Sequence, residues 1–309
     1  MNRNLERIIK AIRDPFWLCG VLLRKISPLI NDDETFIRIE YFLGRKRILH
    51  LNPPRTFNEK LQWLKLNYKD PKYTNLVDKY EVKRIVGGII GTEYIIPTYG
   101  VWNTFDEIDF DTLPDQFVLK CTHDSGGICI CEDKTHFDRK KAQRKIERCL
   151  KKKYFYEHRE YPYKDVKPRI IAEKYLVDES GWQLKDYKIF CFNGHPKFVE
   201  VDYDRYVGHK LNVYDLNWNY IDFYMTSHND PNVEIPRPKK LSKMLELAEM
   251  LAKDEIFVRV DFYSVDDKIF FGELTYHPGC GMIDFHPEEY DLKLGEMLSL
   301  PYIYENSIS

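Results

Sequence analysis

Asn193-Gly194, set between residues 187–192 (YKIFCF) and 197–201 (KFVEV), constrains the fold of this chain more than any other feature. Asn-Gly between two apolar runs is the strongest short-range signal for a two-residue β-hairpin, because both turn positions take positive φ. The two runs therefore pair antiparallel. Residues 117–121 (FVLKC) and 128–132 (ICICE) flank a second turn, His123-Asp124-Ser125-Gly126-Gly127, and residues 257–263 and 269–274 make a third strand pair. Residues 170–176 (IIAEKYL), 209–214 and 220–223 add further strands. No alternating βαβ pattern appears, and no G-x-G-x-x-G follows a strand, which counts against a Rossmann fold. The expectation is an α+β chain built on antiparallel hairpins.

Helices are predicted at fewer places. Thr56 and Glu59 form a capping-box pair that opens a helix carrying Leu61, Leu64 and Leu66 toward Tyr68, with a stop at Asp70-Pro71. A second helix is expected over 76–86, ended by Gly87-Gly88, and a strand over 94–99 leads to Gly100. Leu241, Met244, Leu245, Ala248 and Leu251 mark another helix. Between Asp138 and Lys153 stand nine Lys/Arg against two acids, with Ile146 and Leu150 as an inner stripe. That basic helix presents either a plain solvated face or a dock for an anionic substrate.

At 309 residues the chain is long enough for two packed units. Its 47 Lys+Arg balance 49 Asp+Glu, so no overall basic excess draws nucleic acid to it, and none is expected as a partner. Seven cysteines without a C-x-x-C pair predict a reduced, cytoplasmic setting, with Cys129 and Cys131 read as small buried hydrophobes in preference to a metal site. Residues 16–23 (FWLCGVLL) lack a cleavage pattern and are too short to span a bilayer. Leu5, Ile8, Ile9, Ile12 and Phe16 recur at helical spacing among Arg3, Arg7, Lys10, Arg13, Arg24 and Lys25. This amphipathic segment either packs on protein or makes peripheral contact with an anionic membrane face.

Chemistry concentrates near the C-terminus. Alternation puts Arg259 and Asp261 on one face of a strand and Glu273 and Thr275 on one face of the next, so a hairpin gathers oxygen ligands suited to Mg²⁺. Lys120, followed by the Ser125-Gly126-Gly127 turn, sets an ammonium and backbone N–H groups against phosphate oxygens. Glu173, Lys174, Tyr175 and Leu176 end a strand whose backbone edge and apolar walls suit a flat base.

These residues carry a resemblance. Residues 258–282 (VRVDFYSVDDKIFFGELTYHPGCGM) resemble the metal-binding hairpin of ATP-grasp ligases. Asp78-Lys79 with Lys83 is similar to the opening segment of that fold, Lys120 with Ser125-Gly126-Gly127 to its phosphate-covering hairpin, and Glu173 to Leu176 to its adenine hinge. Thr56-Phe-Asn-Glu-Lys60, Arg159-Glu160-x-Pro162-Tyr163 and Asp186-Tyr-Lys188 are similar to the TupA-like family, linked to bacterial surface-polysaccharide synthesis. Thr275 departs from the pattern, standing where most ATP-grasp enzymes have Asn.

The resemblance implies an ATP-grasp fold with two α+β subdomains clasping the nucleotide. Its parts would be a helical N-terminal extension (1–54), a preceding region (55–115), a first subdomain with the glycine turn and basic helix (116–172), and a second with the hinge and metal hairpin (173–309). It implies a carboxylate-amine ligase that uses ATP and Mg²⁺ and forms an amide through an acyl phosphate, from a carboxylate-bearing sugar or glycan and an amine or amino acid. Asp261, Glu273 and Thr275 would hold metal. Lys79, Lys120, Ser125, Gly126, Gly127 and Asp186 would serve the nucleotide, with Glu173, Lys174, Tyr175 and Leu176 around the base. Lys188, Arg259 and Arg205 would act on the transferring group and the carboxylate. The rival expectation is a nucleotide-sugar-dependent glycosyltransferase using Asp202-Tyr-Asp204, and a third is a binding-only adaptor.

Overall fold

A computed structural model of the chain describes residues 13–181, 183–204, 208–225 and 227–301. Helices α1 (Pro15–Ile26) and α2 (Asp33–Arg45) come first, each capped by an aspartate: Asp14 accepts from the Trp17 N–H and Asp32 from that of Thr35. Leu23, Phe36, Ile37 and Tyr41 close a small core between them. Helix α3 (Phe57–Asn67) opens on the expected capping box. One residue in, buried Asn58 donates its backbone N–H and side-chain amide to Asp291 and exchanges hydrogen bonds with the backbone of Ile283, tying α3 to the C-terminal region.

The helix expected over 76–86 is two helices, α4 (Lys72–Val77) and α5 (Glu81–Ile90). Asp78 divides them: its backbone is extended, and its carboxylate accepts the Tyr80 and Glu81 N–H groups at 2.8 and 3.2 Å. A local cap of this kind competes with the helical ladder. Gly87-Gly88 does not end α5, which continues to Ile90 and leaves through Gly91 at φ 111°. The strand expected over 94–99 also shifts. Residues Thr92–Tyr94 form a 3₁₀ turn and β1 runs Thr98–Trp102, beyond Pro97, which has no N–H for a ladder.

Strands β2 (Phe117–Cys121), β3 (Ile128–Cys131) and β4 (Ile170–Lys174) join β1 in an antiparallel sheet of order β1-β4-β2-β3. Between β3 and β4 lie α6 (Arg139–Leu150) and the short α7 (Phe155–His158). Ala142, Ile146 and Cys149 pack α6 against the sheet, and Cys131, with Cys129 beside it, joins the same apolar core.

The Asn193-Gly194 turn joins β5 (Asp186–Phe192) to β6 (His195–Tyr203) at φ 47° and 87°, as expected. Then come β7 (Lys210–Tyr214), β8 (Tyr220–Ile221), β9 (Tyr224–Met225), α8 (Leu241–Ala252), β10 (Phe257–Val265), β11 (Lys268–Thr275), β12 (Phe285–His286) and α9 (Glu289–Met297). The large sheet has the order β11-β10-β5-β6-β7-β8. Ile189, Val199, Val258 and Val260 face α8 and its Leu241, Met244 and Ala248. Strand alternation sends their neighbours to the opposite face. There Phe190, Phe192, Phe198 and Phe257, with Leu211 and Val213 of β7, share a core with Phe57, Leu61 and Leu64 of α3, and the same face carries Arg259, Asp261, Lys188 and Glu200.

Candidate active site

One row of paired residues crosses that charged face: Glu273 opposite Asp261, Asp261 opposite Lys188, Lys188 opposite Glu200. Directly opposed residues on antiparallel strands share a face. The β10–β11 turn at Asp266-Asp267 pairs Val265 with Lys268, and counting back from there would set Gly272 against Asp261 and turn Glu273 into the core. A register shift between Asp261 and Phe262 prevents this. Gly272 is the extra residue of a β-bulge, so Phe271 and Leu274 both reach the core while Glu273 and Thr275 face the site.

Arg259 holds the two acids. Its guanidinium donates to both oxygens of Asp261 at 2.7 and 2.5 Å and to Glu273 Oε1 at 3.1 Å, and the Thr275 hydroxyl donates to the same Oε1 at 3.1 Å. Burial pushes the Asp261 carboxyl well above its ordinary value in spite of Arg259, and the neighbouring charge of Asp186 adds to the rise. Glu273 goes the other way: burial would raise it, but Lys79 and then Arg259 hold it below its ordinary value. Lys188 Nζ sits 3.0 Å from Glu200 Oε1 and 2.5 Å from Asp202 Oδ2.

The donor set fits Mg²⁺. Two carboxylates and a hydroxyl are hard oxygen ligands, and Mg²⁺ binds through one or two carboxylates while keeping water and phosphate oxygens as its other ligands. A buried carboxylate crowded by further acids and answered by one guanidinium is an environment that a dication would relieve. Among the described residues no three His, Cys, Asp or Glu side chains form a preformed cage. Phosphate oxygens would complete the shell.

Two residues along β10 from Asp261, Tyr263 reaches a cleft of about 150 Å³ lined by Lys120, Lys174, Tyr175, Leu176, Ile128 and Leu184. Apolar walls with a few polar groups suit a flat heterocycle. The Glu173 side chain is not among that lining. It is buried, paired at 2.5 Å with Lys120 and at 2.5 Å with Lys83, whose ammonium also donates to Ile96 O and Thr98 Oγ1 at 2.7 and 2.9 Å. Burial alone would raise Glu173, but the two ammonium groups, Lys120 first, bring it below its ordinary value.

The glycine turn lies above Lys120. Lys79 Nζ donates to Asp124 O at 2.8 Å, Gly127 N–H donates to Asp124 Oδ1 at 2.9 Å, and Ser125 Oγ lies 3.2 Å from the Tyr154 hydroxyl. A Cβ on Gly127 would stand 2.5 Å from Cys121 Sγ, whereas one on Gly126 would meet nothing nearer than 3.8 Å.

The structure thus brings Arg259, Asp261, Glu273, Thr275, Lys188 and Asp186 onto one sheet face, with Lys79 close enough to act on Glu273, and gathers Lys120, Lys174, Tyr175 and Leu176 around the adjoining cleft. Arg205 lies outside the described residues, as do Leu5, Ile8, Ile9 and Ile12. Tyr263, Glu200 and Gly272 join this arrangement without having been expected there, and Lys83, read from sequence only as part of the opening segment, joins it through Glu173. A glycine inside a strand run is the usual mark of a bulge, and that signal was available for Gly272. Asp202, one half of the Asp-x-Asp element, is engaged by Lys188 and by His209 at 3.1 Å.

Two antiparallel sheets thus carry a glycine turn, a cleft with apolar walls and a pair of acids that share one face. Residues 59–299 match the family described as TupA-like ATPgrasp, and the chain belongs to that family. Membership carries with it the ATP-grasp fold. Among curated proteins nothing matches the sequence. Solved structures that it resembles include D-alanine–D-alanine ligase from Bacillus anthracis complexed with ATP, at 15% identity over 72% of this chain and 57% of that one, TM-score 0.37. Others are the ATP-grasp ligase PsnB with minimal precursor, Mg and ADP (11%, 77% and 63%, TM-score 0.40) and the ADP complex of N5-carboxyaminoimidazole ribonucleotide synthetase (14%, 71% and 50%, TM-score 0.43). The chain thus spans between half and two thirds of the length of these proteins.

Proposed function

We propose that this protein is an ATP- and Mg²⁺-dependent carbon–nitrogen ligase that activates a carboxylate on a surface glycan, such as that of a uronic acid, and joins it to an amine or amino acid. The observation that carries the proposal is the row Glu273–Asp261–Lys188 running beside the Lys120 cleft, which supports a γ-phosphate lying between metal-binding acids and phosphate-binding ammonium groups. The base would stack in the cleft beside Tyr175 and Leu176. Asp261, Glu273 and Thr275 would hold Mg²⁺, which when bound neutralises β- and γ-phosphate charge. Lys120, Lys79 and Lys188 would bind phosphate oxygens, with Ser125, Gly126 and Gly127 closing over them.

A substrate carboxylate oxygen attacks the γ-phosphorus and ADP departs, leaving an acyl phosphate. The amine then attacks the acyl carbon, phosphate leaves with the C–O bond electrons, and the amine nitrogen gives up a proton as the amide forms. Arg259 faces both acids and would stabilise charge on the transferring group and on the tetrahedral intermediate. Lys140, Lys141, Arg144 and Arg148 on the exposed face of α6 give a cationic surface suited to a polyanionic acceptor, a role for which Arg205 is a second candidate. The work would take place on the cytoplasmic side, where ATP is supplied. ADP release measured across a panel of uronic acids and amino acids tests the proposal: release that needs one member of each class supports it, and release indifferent to every uronic acid refutes the glycan assignment.

A further inference from the structure

Helix α1 turns an apolar face outward. Leu18, Leu22 and Ile26, spaced four apart, are 39, 51 and 50% exposed, and Leu29 just beyond is 80% exposed. At 100° per residue these positions fall within one stripe. Gly20 and Leu23 on the other side are buried against the protein. Phe16 and Phe42, edge to face at 6.0 Å and 37 and 45% exposed, add apolar surface where α1 meets α2. Soluble proteins rarely leave apolar side chains contiguous in this way without a partner.

The charge of α1 itself has one sign, with the acids Asp32, Asp33 and Glu34 standing beyond Leu29 at the start of α2. No acid lies within α1; Lys25 is exposed beside the stripe, Arg13 is exposed just ahead of the helix, and Lys46 Nζ lies 5.4 Å from the Phe16 ring centroid. Asp14 caps the helix and Glu40 is buried against Arg24 at 3.5 Å, so neither offsets that charge at the surface. In sequence, residues 1–12 add Arg3, Arg7 and Lys10 against Glu6. Among the described residues no helix is long and apolar enough to cross a membrane.

We infer that this face docks on a membrane surface carrying anionic headgroups, with α1 lying in the interfacial plane. Leu18, Leu22, Ile26 and Leu29 would enter the acyl boundary while the basic side chains meet the headgroups, a pairing that neither a neutral bilayer nor a cationic protein would match. The inference concerns a surface separate from the cleft and does not depend on the substrate assignment.

Co-sedimentation of the full chain with phosphatidylglycerol/phosphatidylcholine vesicles, and with phosphatidylcholine alone, tests it. The protein should pellet with the anionic vesicles and be released by high salt. Leu18→Glu with Leu22→Glu should weaken that binding about tenfold or more. Because both positions are exposed, the melting temperature and its rise with Mg-ATP should stay those of the parent. Equal pelleting of parent and variant would overturn the inference, as would failure of the parent to pellet with anionic vesicles. A concentration-dependent dimer that the same double substitution abolishes, without vesicle binding, would assign the face to a second copy and equally overturn it.

Discussion

Asp261 stands directly opposite Glu273 because Gly272 is bulged out of the pairing between them. One residue of slip separates a pair of acids on one shared face from an acid driven into the core beside α8.

Glu273→Gln should therefore lower ATP-dependent ADP release by roughly 10²–10³-fold, the scale of losing one preorganised charge contact. Its side chain is 45% exposed, so the melting temperature should change little. Deleting Gly272 should abolish turnover as well, but by rotating Glu273 inward, and it should cost about 5 °C or more in melting temperature. Calorimetric melting beside an ADP-release assay separates the two routes. Near-normal turnover by Glu273→Gln would remove that residue from the metal site.

Lys120→Met should weaken Mg-ATP binding about 10- to 100-fold, because a charge-assisted hydrogen bond to phosphate is worth about 1.5–3 kcal/mol. Titration calorimetry checks this. Unchanged affinity would mean that the turn above Lys120 does not cover phosphates.

Glu173→Gln leaves the Lys120 and Lys83 ammonium groups side by side without their shared carboxylate. A loss of about 3 kcal/mol at pH 7 is expected. The folded state holds Glu173 below its ordinary value of 4.5, so its contribution is complete above that pH and disappears as pH falls through the folded value. The melting-temperature gap between parent and variant should be widest at neutral pH and shrink below about pH 4.5. A gap that does not change with pH would show that the pairing does not stabilise the fold.

Gly127→Val and Gly126→Val should part company. The first forces a Cβ to 2.5 Å from Cys121 Sγ and should disrupt the turn, lowering both turnover and melting temperature. The second meets open space and should keep the fold, with any effect confined to turnover through slower closure. Equal melting losses from both variants would refute this account of the turn.

Much of the α+β architecture was legible because its signals are local. The Thr56–Glu59 capping box, the Asn193-Gly194 turn, the glycine turn after Lys120 and the apolar spacing of α8 each depend on residues only a few positions apart, and each appears where its chemistry requires. Asp78 defeated the helix expected over 76–86 because a side chain that captures two backbone N–H groups looks, in sequence, like any other polar helix residue.

The charged residues that the large sheet gathers on one face were visible in the sequence too, since acids, arginine and lysine inside strand runs have little structural reason to be there. Their partners were not. That Glu173 answers Lys120 and Lys83, and that Glu200 and Asp202 hold Lys188, depends on which strands become neighbours. The sequence by itself determined the hairpins and the identity of the acids, through short-range turn and alternation rules. Only the tertiary structure decided that Asp261 and Glu273 face the same side, because a single bulged residue reverses strand alternation and burial of Phe271 and Leu274 selects the register in which it does so.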